Sequence, residues 1–247
     1  MKALIITVAG SSTRFSRSIG KECLKCIYYE EDFTQSLLYK TVYRDSSFDK
    51  YVIVGGYKFD ELKRAVDLYL QSVKDKIVLI NNEKYAEYGS GYSLYLGLQY
   101  VVDGEFDEVV FAEGDLWVDG ESFAAVLNSP QDVITFNRDT IDALKSVVFY
   151  FDKDNYVHYL YDTAHNSLEI KEPFLSVYNS GQIWKFKHIQ RVKDAFYSLG
   201  GDKWQGTNLV FIQKYFGEIK NGGFELVEMK KWFNCNTVSD FRKIGDI

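Results

Sequence analysis

Short apolar runs alternate with segments of helical spacing along about the first 115 residues. The runs are rich in Val, Ile and Leu, which is typical of strands buried on both faces. The predicted strands are 3–8, 50–54, 76–80 and 108–112, and the predicted helices are 35–43, 58–73 and a segment from residue 93 onward. This order predicts parallel βαβ units in an α/β fold with a doubly wound, mixed but mainly parallel sheet.

The pattern changes after Pro130, where short alternating runs are separated by Asp, Asn and Gly clusters. Alternation of this kind indicates antiparallel or mixed strands. The predicted strands are 133–136, 146–151, 156–161, 175–179 and 225–229, and the predicted helices are 188–199, 207–216 and a last one from Val238. Because no Pro-rich linker divides the chain, we expect one domain over 1–247, with a nucleotide-binding half (1–120), an acceptor-binding half (121–235) and a C-terminal helix (236–247).

Composition and charge exclude several classes of protein. A formal charge of −6 argues against a nucleic-acid partner. The apolar run at the N-terminus is too short for a signal peptide, and no other stretch is long enough for a membrane span, so we expect a cytoplasmic protein. Cys23 and Cys26 have C-x-x-C spacing, but no second Cys or His pair completes a zinc site, which favours reduced thiols.

The loop that follows the first strand, residues 10–21, is rich in Ser, Arg and Lys. In open α/β sheets, ligands bind beyond the carboxyl ends of the strands, where this loop is expected. A P-loop is excluded because Gly20-Lys21 is followed by Glu22. A dinucleotide fingerprint is excluded because residue 12 is Ser rather than Gly.

The loop resembles the signature of the nucleotidyltransferase superfamily with a GT-A-like fold, in which Gly, Arg, an apolar residue, Lys and Leu follow in order. The matching residues here are Gly10, Arg14, Phe15, Lys21 and Leu24. The resemblance implies that Arg14 and Lys21 are catalytic and that the backbone of the loop holds the phosphates of a nucleoside triphosphate. The residues that would contribute to this binding are Ala9, Gly10, Ser11, Ser12, Thr13 and Lys25. The usual Pro after the lysine is missing, so Lys25 is a rival to Lys21.

A second segment, residues 82–95, resembles the NEKY…Y…YSxY stretch of phosphocholine cytidylyltransferases. The resemblance implies that Ser90, Tyr92 and Ser93 lie at the nucleotide base and favours CTP as the substrate. Family members usually carry two Asn where this chain has Gly89 and Ser90. The alternative is an ordinary helix start capped by Ser90 or Ser93.

Asp115 ends the sequence Phe-Ala-Glu-Gly-Asp, which resembles the E-G-D of family members and implies a ligand for Mg²⁺. In-line attack on a phosphorus atom needs such a hard cation to stabilise developing charge. Asn236 matches the position of a second metal ligand near the C-terminus. Asp115 as a turn cap, and Asn236 or Thr237 as a helix cap, are the alternatives, and Glu113 is expected to form a turn or cap.

The acceptor side offers weaker candidates. Arg138 and Lys145 flank the segment where the family binds the phosphate of the acceptor, and Asn179 lies in the strand that shapes the acceptor pocket. Gln205, beside Trp204, stands where choline-specific relatives carry acids. For each of these residues, an ordinary surface or core role is the alternative.

The resemblance therefore implies a Mg²⁺-dependent nucleotidyltransferase. It would transfer a nucleoside monophosphate, with CMP from CTP favoured, to a phosphorylated amino alcohol or polyol, and it would release pyrophosphate. The alternatives are a sugar-1-phosphate nucleotidyltransferase, a non-catalytic nucleotide sensor, or a glycosyltransferase, which the lack of D-x-D at residue 113 disfavours. The sequence leaves open whether the chain forms a homodimer.

Overall fold

A computed structural model describes residues 1–161 and 166–245. Four strands form the parallel part of its large sheet, in the order β4-β1-β2-β3. They are β1 (Lys2–Thr7), β2 (Lys50–Gly55), β3 (Ile77–Asn81) and β4 (Glu108–Glu113). All four coincide with predicted strands, and their carboxyl ends meet at one edge of the sheet.

Helices cover both faces of this sheet. They are α1 (Thr13–Ile19), α2 (Leu37–Val42), α3 (Phe59–Tyr69), α4 (Ser90–Val102), α5 (Gly120–Asn128), α6 (Ile189–Ser198), α7 (Leu209–Phe216) and α8 (Val238–Gly245). Apolar side chains of α4, α6 and α7 pack into one buried cluster, and those of α2, α3 and α5 pack into another on the opposite face. The doubly wound α/β fold predicted from the sequence is therefore confirmed.

The rest of the sheet is mainly antiparallel. Its strands are β6 (Val133–Asn137), β7 (Val148–Asp152), β8 (Val157–Leu160), β9 (Phe174–Phe186) and β10 (Glu225–Glu228), and the short β5 (Leu116–Val118) and β11 (Trp232–Asn234) form a separate pair. β9 pairs with β4, β6 and β7, all antiparallel, and β10 pairs parallel to β6. β9 thus joins the parallel strands to the second half of the chain.

β9 is longer than the predicted strand 175–179 and carries a bulge. The register with β6 shifts between Ile134 and Phe136, and Gln182 has a positive φ of 54°. The Thr135 hydroxyl fixes the irregular segment, since it accepts from Ile183 N–H at 3.1 Å and donates to Ile183 C=O at 2.7 Å. Bulges of this kind terminate or redirect pairing near sheet edges and sites.

Local chemistry explains two differences from the predicted helices. α2 begins at Leu37 rather than at residue 35, because the Ser36 hydroxyl accepts from the N–H of Tyr39 and caps the helix. The loop after β1 contains the short helix α1, which begins after Ser12. Within the described part of the chain, no helix has the length and apolar character needed to cross a membrane.

Candidate active site

A cavity of about 260 Å³ lies over the carboxyl ends of β1 and β4. Its walls come from the loop after β1, the segment before α4 and the end of β4. It is lined by Thr7, Val8, Ala9, Gly10, Ser12, Leu24, Lys25, Cys26, Asn82, Tyr85, Tyr88, Gly89, Ser90, Ser93, Glu113, Gly114 and Asp115. Several predicted binding residues from distant segments therefore meet here: Ala9, Gly10, Ser12, Lys25, Ser90, Ser93 and Asp115.

Lys25 and Asp115 form an ion pair inside this cavity. Nζ of Lys25 lies 2.9 Å from Oδ2 of Asp115, and the side chains are 16% and 25% exposed. The loop orients the lysine, because the Ser12 hydroxyl accepts a hydrogen bond of 3.1 Å from the backbone N–H of Lys25. Ser12 adopts the left-handed conformation, with φ of 54°, which turns the chain toward that contact.

The second oxygen of Asp115, Oδ1, is buried and has no hydrogen-bond partner, and the same is true of Oδ1 of Asn234. The two residues belong to neighbouring segments, since Asn234 pairs with Leu116 and the N–H of Cys235 donates to C=O of Asp115 at 2.8 Å. Asn234 itself does not line the cavity. The carboxylate oxygen of Asp115 is a hard ligand of the kind that Mg²⁺ takes.

Carboxylates alone do not make a metal centre here. Over residues 1–161 and 166–245, no group of three or more His, Cys, Asp or Glu side chains is arranged to hold an ion. A cation at Asp115 would therefore depend on amide oxygens, water and substrate phosphates for its other ligands, which is a common arrangement for Mg²⁺.

Glu113 lies in the cavity wall, and the expectation of a turn or cap for it was wrong. Its Oε1 accepts a hydrogen bond of 2.7 Å from Nδ2 of the buried Asn208. Burial raises the pKa of Glu113 to about 7, and the charge of Asp115 adds to this rise. By contrast, Asp119 does act as a cap, because its carboxylate accepts from Ser122 N–H at the start of α5.

The segment before α4 is held against a distant turn. The N–H of Gly89 donates to C=O of Gln205 at 2.7 Å, and the N–H of Gly91 donates to C=O of Gly206 at 2.9 Å. A Cβ built on Gly89 would lie 2.3 Å from the oxygen of Gly206, so only glycine fits this approach. No side chain caps α4, and the alternative of a Ser90 or Ser93 cap is therefore wrong.

The Ser93 hydroxyl instead accepts a hydrogen bond from Nδ2 of Asn82, at 2.9 Å, in the interior of the protein. Both residues line the cavity.

Near the C-terminus, the alternative in which Asn236 or Thr237 caps a helix is correct for Thr237. Its Oγ1 accepts a hydrogen bond from the N–H of Asp240 in the first turn of α8.

An adjoining cavity, also of about 260 Å³, shares three residues with the first and contains most of the remaining loop candidates. It is lined by Gly10, Ser11, Ser12, Thr13, Arg14, Phe15, Lys25 and Asn236. Arg14 and Asn236 are thus brought next to Lys25 although they lie far apart in the sequence. The two cavities together form a continuous site along the loop after β1.

Other predicted residues lie elsewhere. Lys21 is exposed and lines neither cavity. Tyr92 stacks on Tyr95 in a neighbouring aromatic groove. Gln205 is exposed, and its backbone oxygen rather than its amide meets the site segment.

The predicted acceptor residues of the second half are also outside the cavities. Arg138 forms a bidentate pair with Glu228 at the surface. Lys145 lies 3.5 Å from Asp142, and Asn179 is buried in β9. These side chains are not brought together with Asp115 among the described residues.

The fold is similar to that of three solved structures. The inositol-1-phosphate CTP transferase of T. maritima superposes with a TM-score of 0.66 at 14% identity, over 97% of this chain and 91% of that one. A protein from Bacillus anthracis described as a glucose-1-phosphate thymidylyltransferase gives 0.70 at 14% identity, over 100% and 94%. The CTP:phosphocholine cytidylyltransferase of Streptococcus pneumoniae gives 0.62 at 16% identity, over 99% and 98%.

The chain belongs to the family described as Domain of unknown function (DUF6564), whose profile matches residues 21–247. No curated protein matches the sequence significantly. At 14–16% sequence identity, the similarity to these solved structures is confined to the fold.

Proposed function

We propose that this protein is a Mg²⁺-dependent nucleotidyltransferase that transfers a nucleoside monophosphate, most favourably CMP from CTP, to a phosphorylated amino alcohol or polyol. The observation that carries the proposal is the ion pair of Lys25 and Asp115 over the ends of β1 and β4, with Asn236 and Arg14 in the adjoining cavity. A cation, a carboxylate and an amide at this edge of an α/β sheet are suited to a triphosphate and its metal.

The loop after β1 supplies the phosphate contacts in this proposal. The backbone of residues 9–13 can approach phosphate oxygens because Gly10 has no side chain and nothing lies within 4 Å of the position of its Cβ. Arg14 and Lys25 supply positive charge along the two cavities. We assign the phosphate-binding role to Lys25 rather than Lys21, because only Lys25 lines the site.

The base of the nucleotide is assigned to the wall formed by residues 82–93. Asn82, Tyr88, Gly89 and Ser93 line the cavity there. The segment is fixed from behind by its hydrogen bonds to Gln205 and Gly206. A rigid wall of this kind favours binding because little ordering is needed when the ligand arrives.

The residues that fit the metal are Asp115, whose Oδ1 is unpartnered, and Asn236, which lines the adjoining cavity together with Lys25. When bound, Mg²⁺ would neutralise charge on the triphosphate and on the departing pyrophosphate. Lys25, which pairs with Asp115, would lie next to the phosphates that this metal holds.

The reaction is a substitution at the α-phosphorus. An oxygen of the acceptor phosphate forms a bond to this phosphorus, the bond to the bridging oxygen of the β-phosphate breaks, and pyrophosphate leaves with that electron pair. Arg14 and Lys25 would stabilise charge on the non-bridging oxygens. No general base is required, since a phosphomonoester is already ionised near neutral pH.

Pyrophosphate release tests the proposal. The purified protein is incubated with Mg²⁺, each of the four NTPs and a panel of phosphorylated amino alcohols, polyols and sugars, with Asp115→Asn as the inactive control. Release with CTP and an amino alcohol or polyol phosphate is the expected result. No release with any pair, while an NTP still binds, would show that the protein is a nucleotide sensor instead.

A sugar-1-phosphate nucleotidyltransferase is the second candidate. Gln205 and Asn208 are amides where choline-specific relatives carry acids, so the negative charge that would bind a choline ammonium group is missing at these two residues. The superposition on the Bacillus anthracis protein, with a TM-score of 0.70, agrees with this candidate. Turnover restricted to sugar-1-phosphates in the same screen would establish it.

A further inference from the structure

Glu113 occupies a place in the cavity that the phosphate chemistry does not use. Asn208 fixes one of its oxygens, Oε1, with a hydrogen bond of 2.7 Å, and no hydrogen bond or ion pair within the described chain engages the other. The cavity lining contains one basic residue, Lys25, and that residue is paired with Asp115. Glu113 is therefore a carboxyl group with an oxygen left for a ligand.

Ionised Glu113 repels phosphate oxygens, and its second oxygen therefore suits a group that donates a hydrogen bond, as hydroxyl and ammonium groups do. Glu113 consequently faces a part of a substrate that carries no phosphate.

The order of the sheet assigns that part to the acceptor. β4 lies between β1 and β9, while β2 and β3 lie on the other side of β1. The proposed base wall follows β3, so a nucleotide that runs from this wall across the loop after β1 leaves the end of β4 to the second substrate. Asn208, which holds Glu113, begins α7 of the second half of the chain.

Asn208 also ties Glu113 to the base wall. Its backbone N–H donates to the Ser90 hydroxyl at 3.1 Å while its side chain donates to Glu113. It is 2% exposed, and water cannot readily replace these contacts. The Glu113 side chain is thus fixed before any ligand arrives, which is the arrangement that gives a specific contact.

The geometry points to Glu113 as the residue that recognises the acceptor, by accepting a hydrogen bond from its hydroxyl or ammonium group, and to Asn208 as the residue that positions it. This inference rests on the proposed nucleotidyl transfer, since it names the part of the acceptor that the same site reads.

Equilibrium binding tests it independently of turnover. Ethanolamine phosphate and glycerol 3-phosphate are titrated calorimetrically into the full-length protein with Mg²⁺ and a non-hydrolysable CTP analogue. Glu113→Ala should weaken the acceptor that binds by about 10- to 100-fold, the usual cost of losing a charged hydrogen-bond partner. Asn208→Ala should weaken it less, and Glu218→Gln, at an exposed residue, should leave it unchanged.

Glu113→Gln shows whether the group that donates to Glu113 is a hydroxyl or an ammonium group. The amide oxygen still accepts from a hydroxyl but brings no charge, so binding of glycerol 3-phosphate should be largely retained, whereas that of ethanolamine phosphate should fall as in Glu113→Ala. Unchanged acceptor binding in both Glu113→Ala and Asn208→Ala would overturn the inference. So would a loss of discrimination between CTP and dCTP in Glu113→Ala, because the carboxyl would then contact the ribose.

Failure of the proposed function has a different signature. In that case no NTP and acceptor pair releases pyrophosphate with the unaltered protein, whatever the titrations show. Circular dichroism melting of each variant excludes unfolding as the cause of lost binding.

Discussion

Nζ of Lys25 and Oδ2 of Asp115, separated by 90 residues in the sequence, lie 2.9 Å apart at the centre of the candidate site. The pair joins the loop after β1 to the end of β4, and Asp115 is joined in turn to the C-terminal segment through Cys235. Segments from three parts of the chain therefore meet at Asp115.

Replacement of Lys25 should separate the two candidate lysines. Lys25→Ala removes the basic residue that lines the main cavity, and we expect kcat/KM for pyrophosphate release to fall by about 100-fold or more. Lys21→Ala changes an exposed side chain outside both cavities and should alter it less than about threefold. A larger fall in kcat/KM for Lys21→Ala than for Lys25→Ala would assign the phosphate-binding role to Lys21.

Asn236→Asp should strengthen metal binding. The substitution places a carboxylate in the cavity that also contains Lys25, and added ligand charge raises the affinity for a divalent cation, here by about tenfold. The concentration of Mg²⁺ that gives half-maximal pyrophosphate release measures the effect. Asn221→Asp, at an exposed turn, is the matched control, and an equal shift in both variants would remove Asn236 from the metal site.

Gly89→Ala should destabilise the protein. The new methyl group would meet the backbone oxygen of Gly206 at 2.3 Å, and neither backbone can yield easily. We expect the free energy of unfolding to fall by about 1–3 kcal/mol in urea denaturation. Gly200→Ala meets nothing within 4 Å and should change stability by less than about 0.5 kcal/mol. Equal effects of the two changes would mean that the contact between residues 89 and 206 is looser than described.

The cysteines should be unreactive in the folded protein. Burial raises the pKa of Cys26 and of Cys235 to about 12, and it also raises that of the half-buried Cys23. Because the thiolate is the reactive form, its fraction at pH 8 is far below that of an exposed thiol. A disulfide reagent should therefore modify the native protein slowly, Cys23 first, and react with all three cysteines in denaturant. Rapid labelling of Cys26 in the native state would contradict this.

The parallel half of the fold was predictable because its strands are continuous apolar runs that need no tertiary information. β9 was recognised only over residues 175–179, since Gly181 and Gln182 interrupt the pattern at the bulge and Lys185 places a charge in a buried strand. Lys185 is tolerated because its Nζ donates to the carbonyl oxygens of Leu127 and Ser129, both at 2.7 Å. Such partners come from other elements and leave no local signal.

The same limit applies to the site. Asp115 could be identified because it directly follows a buried strand, and the resemblance marked the loop after β1. Glu113 could not, since its place in the cavity wall depends on a hydrogen bond from the distant Asn208 that only the folded chain reveals. Arg138 was a reasonable phosphate ligand by residue type, yet Glu228 on the neighbouring strand takes its guanidinium group.

The length of β9 has a consequence for how the protein can be divided. One end of this strand pairs with β4 of the first half of the chain and the other pairs with β7 of the second half, so neither half has a complete sheet by itself. We propose that residues 1–247 are one folding unit, and that fragments cut after residue 120 would remain unfolded until mixed. New acceptor specificities would then have to arise by substitution within the shared sheet, because a whole half cannot be exchanged like a module.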